Sequence, residues 1–250
     1  MAQRLDRLLI ARGLVADPAT AVGLIMTGKV LVQDRPILKP GTLVPDQAEI
    51  RLKEPAIPWV SRGALKLEAA IDALSLEVTG LTCLDVGAST GGFTDLLLSR
   101  GAERVFALDV GYGQLAWKLT RDPRVVVMDR FNIRHLQPKD LPGPMDLLVS
   151  DISFISQTMA LPPAVVCLKP GGIGVALIKP QFELPRALVP QGGVITDPDH
   201  HQQAIDWVRT LGEKLGLVTI TILPSPILGP AGNREFLYCF RKQGEADLTP

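Results

Sequence analysis

Two hydrophobic rhythms divide the chain. Over the first fifty residues the apolar positions come in short runs with helical spacing. Leu5, Leu8 and Leu9 share one helical face, and Gly13 ends that run. Asp17-Pro18 joins an N-cap to a proline at the first helical position. Ala21, Leu24 and Ile25 then give a second apolar face, which Gly28 closes. Val30-Leu31-Val32, a turn through Lys39-Pro40-Gly41 and a strand around Ile50 follow. The pattern predicts two short helices and a small sheet over 1–53, an α+β module. Residues 54–59 carry two prolines and are expected to form a linker.

From residue 60 to 250 the rhythm changes. Ser61 is placed to cap a helix with Leu67, Ala70, Ile71 and Leu74 on its apolar face. Short apolar runs then alternate with helical stretches: Leu81 to Val86, Val105 to Val110, Val125 to Met128, Leu147 to Val149 and Ile173 to Ile178. A helix near Gln202 to Leu215 precedes strands at Val218 to Leu223 and Phe236 to Phe240. Strands that alternate with helices build a mostly parallel sheet covered on both faces. The expectation is an α/β, Rossmann-like domain on a seven-stranded sheet. The last ten residues are polar and expected to fray.

Composition narrows the classes. The 250 residues carry no formal net charge, so any nucleic-acid contact must rest on a local patch. Hydrophobic residues make up 46%, enough for a large core. Cys83, Cys167 and Cys239 are widely spaced in apolar surroundings, which fits reduced core thiols of a cytoplasmic protein and no metal site. No signal-like segment and no run approaching the length of a membrane span is visible, so no membrane association is expected.

The chemistry gathers where such a sheet places ligands, at the carboxyl ends of its strands. Asp85-Val86-Gly87-Ala88-Ser89-Thr90-Gly91-Gly92-Phe93 runs from the first strand of the large sheet into a helix. Glycines there let backbone approach a ligand closely. The spacing is not Gly-x-Gly-x-x-Gly, which disfavours a dinucleotide. Asp109 ends the next strand, where a carboxylate can accept from two ribose hydroxyls, and Asp129 ends the third, within reach of an adenine. Together these positions suit S-adenosylmethionine; singly, the glycines also fit a tight turn and Asp109 a helix cap. Asp85, Gly87, Ser89, Thr90, Gly91, Gly92, Phe93, Asp109, Asp129 and Asp151 are the expected cofactor residues.

Lys66, Asp151, Lys179 and Glu235 each lie at a strand end or a helix start, on the same expected rim. A ribose hydroxyl must lose its proton as it attacks a methyl group. A lysine whose pKa is lowered by burial and a neighbouring cation can accept it. Lys179 is the expected base or the direct partner of the hydroxyl, Asp151 its orienting partner, and Lys66 and Glu235 the pair that holds the ribose.

Long motifs then carry a resemblance. They are Ser61-Arg62-Gly63, Lys66-Leu67, the glycine-rich turn through Thr94, Asp109 to Leu115, Ser150 to Ser156, Lys179-Pro180-Gln181-Phe182-Glu183, Gly192-Gly193-Val194 and Gly229-Pro230-x-Gly232-Asn233-x-Glu235. Over nearly the whole chain these resemble the TlyA family. The resemblance implies an S-adenosylmethionine-dependent 2'-O-methyltransferase acting on cytidine in ribosomal RNA, with an FtsJ-like domain and a Lys-Asp-Lys-Glu tetrad at Lys66, Asp151, Lys179 and Glu235. The chain stops soon after its last strand, like the family's shorter form, which implies the large-subunit RNA alone as substrate.

Residues 1–53 resemble the S4 RNA-binding domain through Arg4-Leu5-Asp6, Gly28-Lys29-Val30 and Lys39-Pro40-Gly41. That family usually has Ser-Arg where this chain has Asp17-Pro18. Arg4, Arg7, Lys29, Arg62, Lys118 and Phe154 are the expected contacts to ribosomal RNA or a ribosomal subunit. Phe182 is a second aromatic at the site. A ribosome-binding protein without turnover is the alternative class. A membrane-active haemolysin is the other, and no apolar span or basic amphipathic helix supports it.

Overall fold

The computed structural model describes residues 2–53 and 57–244. The chain forms two compact units, Met1–Pro58 and Trp59–Pro250. Residues 54–56 of the expected linker, and 245–250 of the expected frayed tail, lie outside the described residues.

In the first unit, β1 (Ala2–Arg4) leads directly into α1 (Leu5–Ala11), and α2 (Pro18–Met26) follows. Asp17 caps α2 as its sequence suggests, with Oδ1 accepting from Thr20 N at 2.9 Å. The two helices pack through Leu5, Leu8, Leu9, Ala21 and Ile25, onto Val30 and Val44. β2 (Val30–Val32) is the centre of a small antiparallel sheet between β3 (Arg35–Pro36) and β5 (Ile50–Leu52). β4 (Leu43–Pro45) pairs with β1, an arrangement the apolar pattern does not reveal because β1 has no buried residue.

The second unit is a seven-stranded sheet. Its strands are β6 (Thr82–Val86), β7 (Arg104–Leu108), β8 (Val125–Met128), β9 (Met145–Ser150), β10 (Leu168–Ile178), β11 (Leu217–Pro224) and β12 (Phe236–Lys242). Their order across the sheet is β11-β12-β10-β9-β6-β7-β8. The pairs from β8 through β10 are parallel, and β12 is antiparallel to both its neighbours. Arg241 and Lys242 belong to β12, so the chain is ordered two residues further than its polar end suggests.

Alternation along each strand builds two cores. Leu84, Val86, Phe106, Leu108 and Leu148 face one side, under α6 (Gln157–Val166) and α8 (Pro198–Lys214). Cys83, Val105, Ala107, Leu147 and Val149 face the other, under α3 (Ala64–Leu74), α4 (Gly92–Ser99) and the single-turn α5 (Trp117–Thr120). The three cysteines are free and buried. The chain leaves β6 toward β7 and β8 on one side and returns on the other as β9. The carboxyl ends of β6 and β9 therefore flank the switch point, where open α/β sheets bind ligands.

Candidate active site

The glycine-rich turn sits on that switch point. Gly87 and Gly91 both have positive φ, +82° and +95°. A side chain at Gly87 would press on the Asp151 carbonyl at 2.9 Å, and one at Gly91 would strike Leu119. Close packing of the protein on itself therefore explains these glycines. It brings the end of β6 and the segment after β9 together, and the Asp151 amide donates to Val86 O at 3.0 Å. Asp85 is fully buried beneath the turn and accepts from Thr94 Oγ1 at 2.6 Å. Desolvation pushes its carboxyl up to about 7. It supports the turn from below and is not a cofactor contact.

A cavity of about 380 Å³ opens beside the turn, lined by Val86, Gly87, Ser89, Leu108, Asp109 and Val110 on one side and by Asn132 to Arg134 and Asp151 to Ile155 on the other. Asp109 is pinned at its edge: Oδ2 accepts from Ser89 N at 2.8 Å and Oδ1 from Gly111 N at 2.7 Å. A carboxylate oxygen accepts more than one bond, so this one can still receive ribose hydroxyls. Leu108, Val110, Ile133 and Ile152 make apolar walls suited to a flat purine. The donor and acceptor set fits an adenosyl group. Asp129 does not line the cavity; its Oδ2 accepts from Gly113 N at 2.9 Å and braces the loop after β7. Gln114, Asn132 and Arg134 line the cavity in its place, and their irregular loops carry no periodic signal that would single them out.

A second recess of about 200 Å³ shares Gly87, Ser89, Asp151 and Ser153 with the first and adds Ser61, Lys66, Thr90, Gly92, Phe93, Lys179 and Pro230. Here the four distant polar residues meet. Lys66 comes from the first turns of α3, which begins at Ala64 with Ser61 Oγ accepting from Gly63 N, two residues later than a Ser61 cap implies. Asp151 follows β9, Lys179 follows β10, and Glu235 precedes β12. Lys66 Nζ lies 2.7 Å from Glu235 Oε2 and 3.5 Å from Asp151 Oδ2. Lys179 Nζ lies 2.6 Å from Asp151 Oδ1 and donates to Ser153 Oγ at 2.8 Å. Asp151 thus bridges the two lysines. Glu235 is 1% exposed, and among the described residues its Oε1 has no hydrogen-bond partner. Ser153, two residues past Asp151, is a member of the cluster that strand ends alone do not identify.

Asn233 serves the site without touching Glu235. Its Oδ1 accepts from Ile195 N at 2.9 Å and its Nδ2 donates to Gly193 O at 2.8 Å, pinning the glycine loop before α8. The Gly229 backbone lies against Glu235, where a Cβ would meet Oε1 at 2.4 Å.

At the mouth, Phe154 is 87% exposed and holds φ +70°. Its ring centroid is 5.5 Å from that of Phe182, on the single-turn helix α7 (Pro180–Glu183). Arg62 is exposed nearby in sequence, but Lys118 is paired with Asp95 at 2.8 Å and is not a free cation. In the first unit Arg7 is exposed, Lys29 is half-buried, and Arg4 is held by Asp6 at 2.6 Å. No cluster of metal ligands occurs among the described residues, and no helix there is long and apolar enough to cross a membrane.

Residues 59–242 match the model of the FtsJ-like methyltransferase family. The 16S/23S rRNA (cytidine-2'-O)-methyltransferase TlyA of Mycobacterium tuberculosis is 44% identical over 98% of this chain and 92% of that protein. The 23S rRNA (cytidine-2'-O)-methyltransferase TlyA of Campylobacter jejuni is 30% identical over 74% of this chain and 71% of its own. A solved structure from Streptococcus thermophilus, described as a hemolysin, superimposes with a TM-score of 0.76 at 37% identity, covering 99% of this chain and 92% of that one.

Proposed function

The chain belongs to the FtsJ-like methyltransferase family, in its TlyA branch, and from that premise we propose that it methylates the 2'-hydroxyl of a cytidine in ribosomal RNA, with Lys66, Asp151, Lys179 and Glu235 as the catalytic residues. One observation carries the reading. Asp151 bridges Lys179 and Lys66 in a recess that continues into the cavity edged by Asp109. The cofactor of the family is S-adenosylmethionine, which supplies an electrophilic methyl group on a sulfonium and leaves as a neutral thioether. The Asp109 carboxylate and the apolar walls would hold its adenosyl end, and the Asp151 carboxylate would provide negative charge in the adjoining recess, with Glu235 buried against Lys66.

The chain's own residues then do three things. Lys179 Nζ is the acceptor for the 2'-hydroxyl proton, released as that oxygen forms its bond to carbon. Asp151 Oδ1 faces the ammonium so produced and stabilises it. Lys66, fixed by Glu235, positions the ribose from the opposite side of Asp151. The unpartnered Glu235 Oε1 is a buried acceptor available to this arrangement. Holding the ribose so that its 2'-oxygen is oriented toward the donor cavity would supply much of the remaining rate.

Phe154 offers the target nucleobase a stacking face, and Arg62 a phosphate contact. The S4-like first unit supplies weaker, salt-sensitive RNA contacts through Arg4, Arg7 and Lys29. Arg4 keeps its role only if RNA phosphate displaces Asp6. The 23S RNA appears in the names of both rRNA-methylating relatives, so we take the large-subunit RNA, in the cytoplasm, as the substrate. The test is to map 2'-O-methylated positions in 16S and 23S RNA from cells with and without the gene. A gene-dependent cytidine in 23S alone supports the proposal; no gene-dependent site overturns it. Purified Lys179→Ala protein that binds the cofactor normally and still methylates at full rate overturns the assignment of the base.

A further inference from the structure

The two loops that carry Lys179 and Asp151 are tied together a second time, outside the cavity edged by Asp109. Lys179 O accepts from Phe182 N at 2.8 Å and Glu183 N at 3.2 Å, so α7 is a rigid turn with Lys179 at one end and Glu183 at the other. Glu183 reaches across to the loop after β9. Its Oε1 accepts from Gln157 N at 3.0 Å, and its Oε2 accepts from Ser156 Oγ. Gln157 is fully buried and continues the link into the sheet. Its Nε2 donates to Leu177 O at 3.0 Å, and its Oε1 accepts from Ser150 Oγ at 3.2 Å. Ser150 and Leu177 lie on neighbouring strands, one and two residues before Asp151 and Lys179.

The contacts form a closed frame. On one side Lys179 meets Asp151 and Ser153; on the other Glu183 meets Ser156 and Gln157. The six-residue loop from Asp151 to Ser156 includes Phe154 at positive φ and is not held in shape by regular structure. Glu183 itself lines a different recess, with Trp207, Thr210 and Lys214, and does not line either of the cavities of the candidate active site.

We propose that Glu183 is a positioning residue for methyl transfer: by bonding Ser156 and Gln157 it fixes the loop after β9 against α7 and so sets the Lys179–Asp151 contact. This rests on the catalytic reading of that pair. The bonds do not need a charge. Burial pushes the Glu183 carboxyl up to about 7. Its neutral form presents one acceptor and one donor, as a glutamine amide does.

The test is single-turnover transfer of labelled methyl from saturating S-adenosylmethionine to large ribosomal subunits from cells lacking the gene. Glu183→Ala should slow transfer roughly tenfold or more, since small misplacements at a reacting centre are costly, while cofactor affinity stays within about twofold of wild type. Glu183→Gln should keep both bonds and transfer within about threefold of the wild-type rate. A wild-type rate for Glu183→Ala, or a Gln variant as slow as the Ala variant, overturns the inference. Should Glu183→Ala fail to fold, Ser156→Ala decides: slower transfer at unchanged cofactor affinity supports the inference, and a wild-type rate overturns it. Lys179→Ala is measured alongside. A fully active Lys179→Ala sinks the base and this inference with it; an inactive Lys179→Ala beside a normal Glu183→Ala sinks this inference alone.

Discussion

Lys66 Nζ lies 2.7 Å from Glu235 Oε2, joining the first helix of the methyltransferase unit to the residue that leads into its last strand. Both side chains are buried, and burying two charges costs much of what their attraction returns. A pair kept at that cost, with one carboxylate oxygen unpartnered, fits the catalytic role proposed for it better than a purely stabilising one.

Lys66→Ala should therefore destabilise the protein by about 3–5 kcal/mol, because it strands the Glu235 carboxylate without its nearest cation. The double variant Lys66→Met, Glu235→Leu should regain most of that loss, since well-packed apolar groups replace buried pairs at little or no cost. It should nevertheless transfer no methyl group. Urea midpoints and methyl incorporation on the same preparations check both halves.

Asp109→Asn should weaken cofactor binding and spare the chemical step. The carboxylate is held by the Ser89 and Gly111 amides, and an amide has only one acceptor oxygen to meet these donors and the ribose hydroxyls. Losing hydrogen bonds to a charged acceptor costs about 1.5–3 kcal/mol, or roughly 10- to 150-fold in Kd for S-adenosylmethionine. Calorimetric titration gives the Kd. At saturating cofactor the single-turnover rate should stay within a few-fold of wild type, and a collapse of that rate would count against the assignment.

Asp85 links stability to pH. Its carboxyl rises from 3.8 to about 7, chiefly by desolvation. A group whose folded pKa is raised contributes stability that is full below the unfolded pKa and is lost as pH rises through the folded one. Stability from this residue should fall between about pH 4 and pH 7 and level off above. The size is roughly 4 kcal/mol at most. Glu183, raised from 4.5 to about 7, acts in the same direction. Denaturation of wild type and Asp85→Asn at pH 5 and pH 8 isolates the Asp85 share: the wild type should lose more stability across the interval than the variant.

Much of this architecture can be seen in the sequence, because short apolar runs between helical stretches leave few alternatives. β8 begins and ends where the apolar run Val125 to Met128 does. The front of β10 is hidden because Lys169-Pro170-Gly171-Gly172 breaks the apolar pattern, and the register shifts between Leu168 and Ile173. α6 is hidden by Pro162 and Pro163, which remove helical donors; burial of Ala160, Leu161, Ala164 and Val165 holds it. At the site, strand ends bring Lys66, Asp151, Lys179 and Glu235 to one rim. Which carboxylate faces which lysine depends on side-chain direction, and so does the loss of Asp129 and Asp85 from the cofactor wall. Sequence spacing carries none of that. Ser153, Gln157 and Glu183 act through contacts between loops that only the closed sheet brings together.

Phe154 joins strain to exposure, and the two give opposite predictions for one substitution. A bulky residue at φ +70° is held in a sparsely populated conformation that costs on the order of 1–3 kcal/mol. Its ring is 87% exposed, so little burial offsets that strain. The ring also makes a tilted contact with Phe182. Phe154→Gly removes the strain and should raise the denaturation midpoint or leave it unchanged. If the ring stacks on the target base, the same change should remove about 1–3 kcal/mol of RNA interaction, lowering kcat/KM for ribosomal RNA roughly 5- to 150-fold. Affinity for S-adenosylmethionine should fall less than RNA turnover, since Phe154 is only one residue of a cavity edged by Asp109 and lined by Leu108, Val110, Ile133 and Ile152. A variant that is at least as stable, binds cofactor and fails on RNA marks Phe154 as a substrate contact. A variant that loses stability and cofactor affinity together would make it a packing residue of the loop after β9.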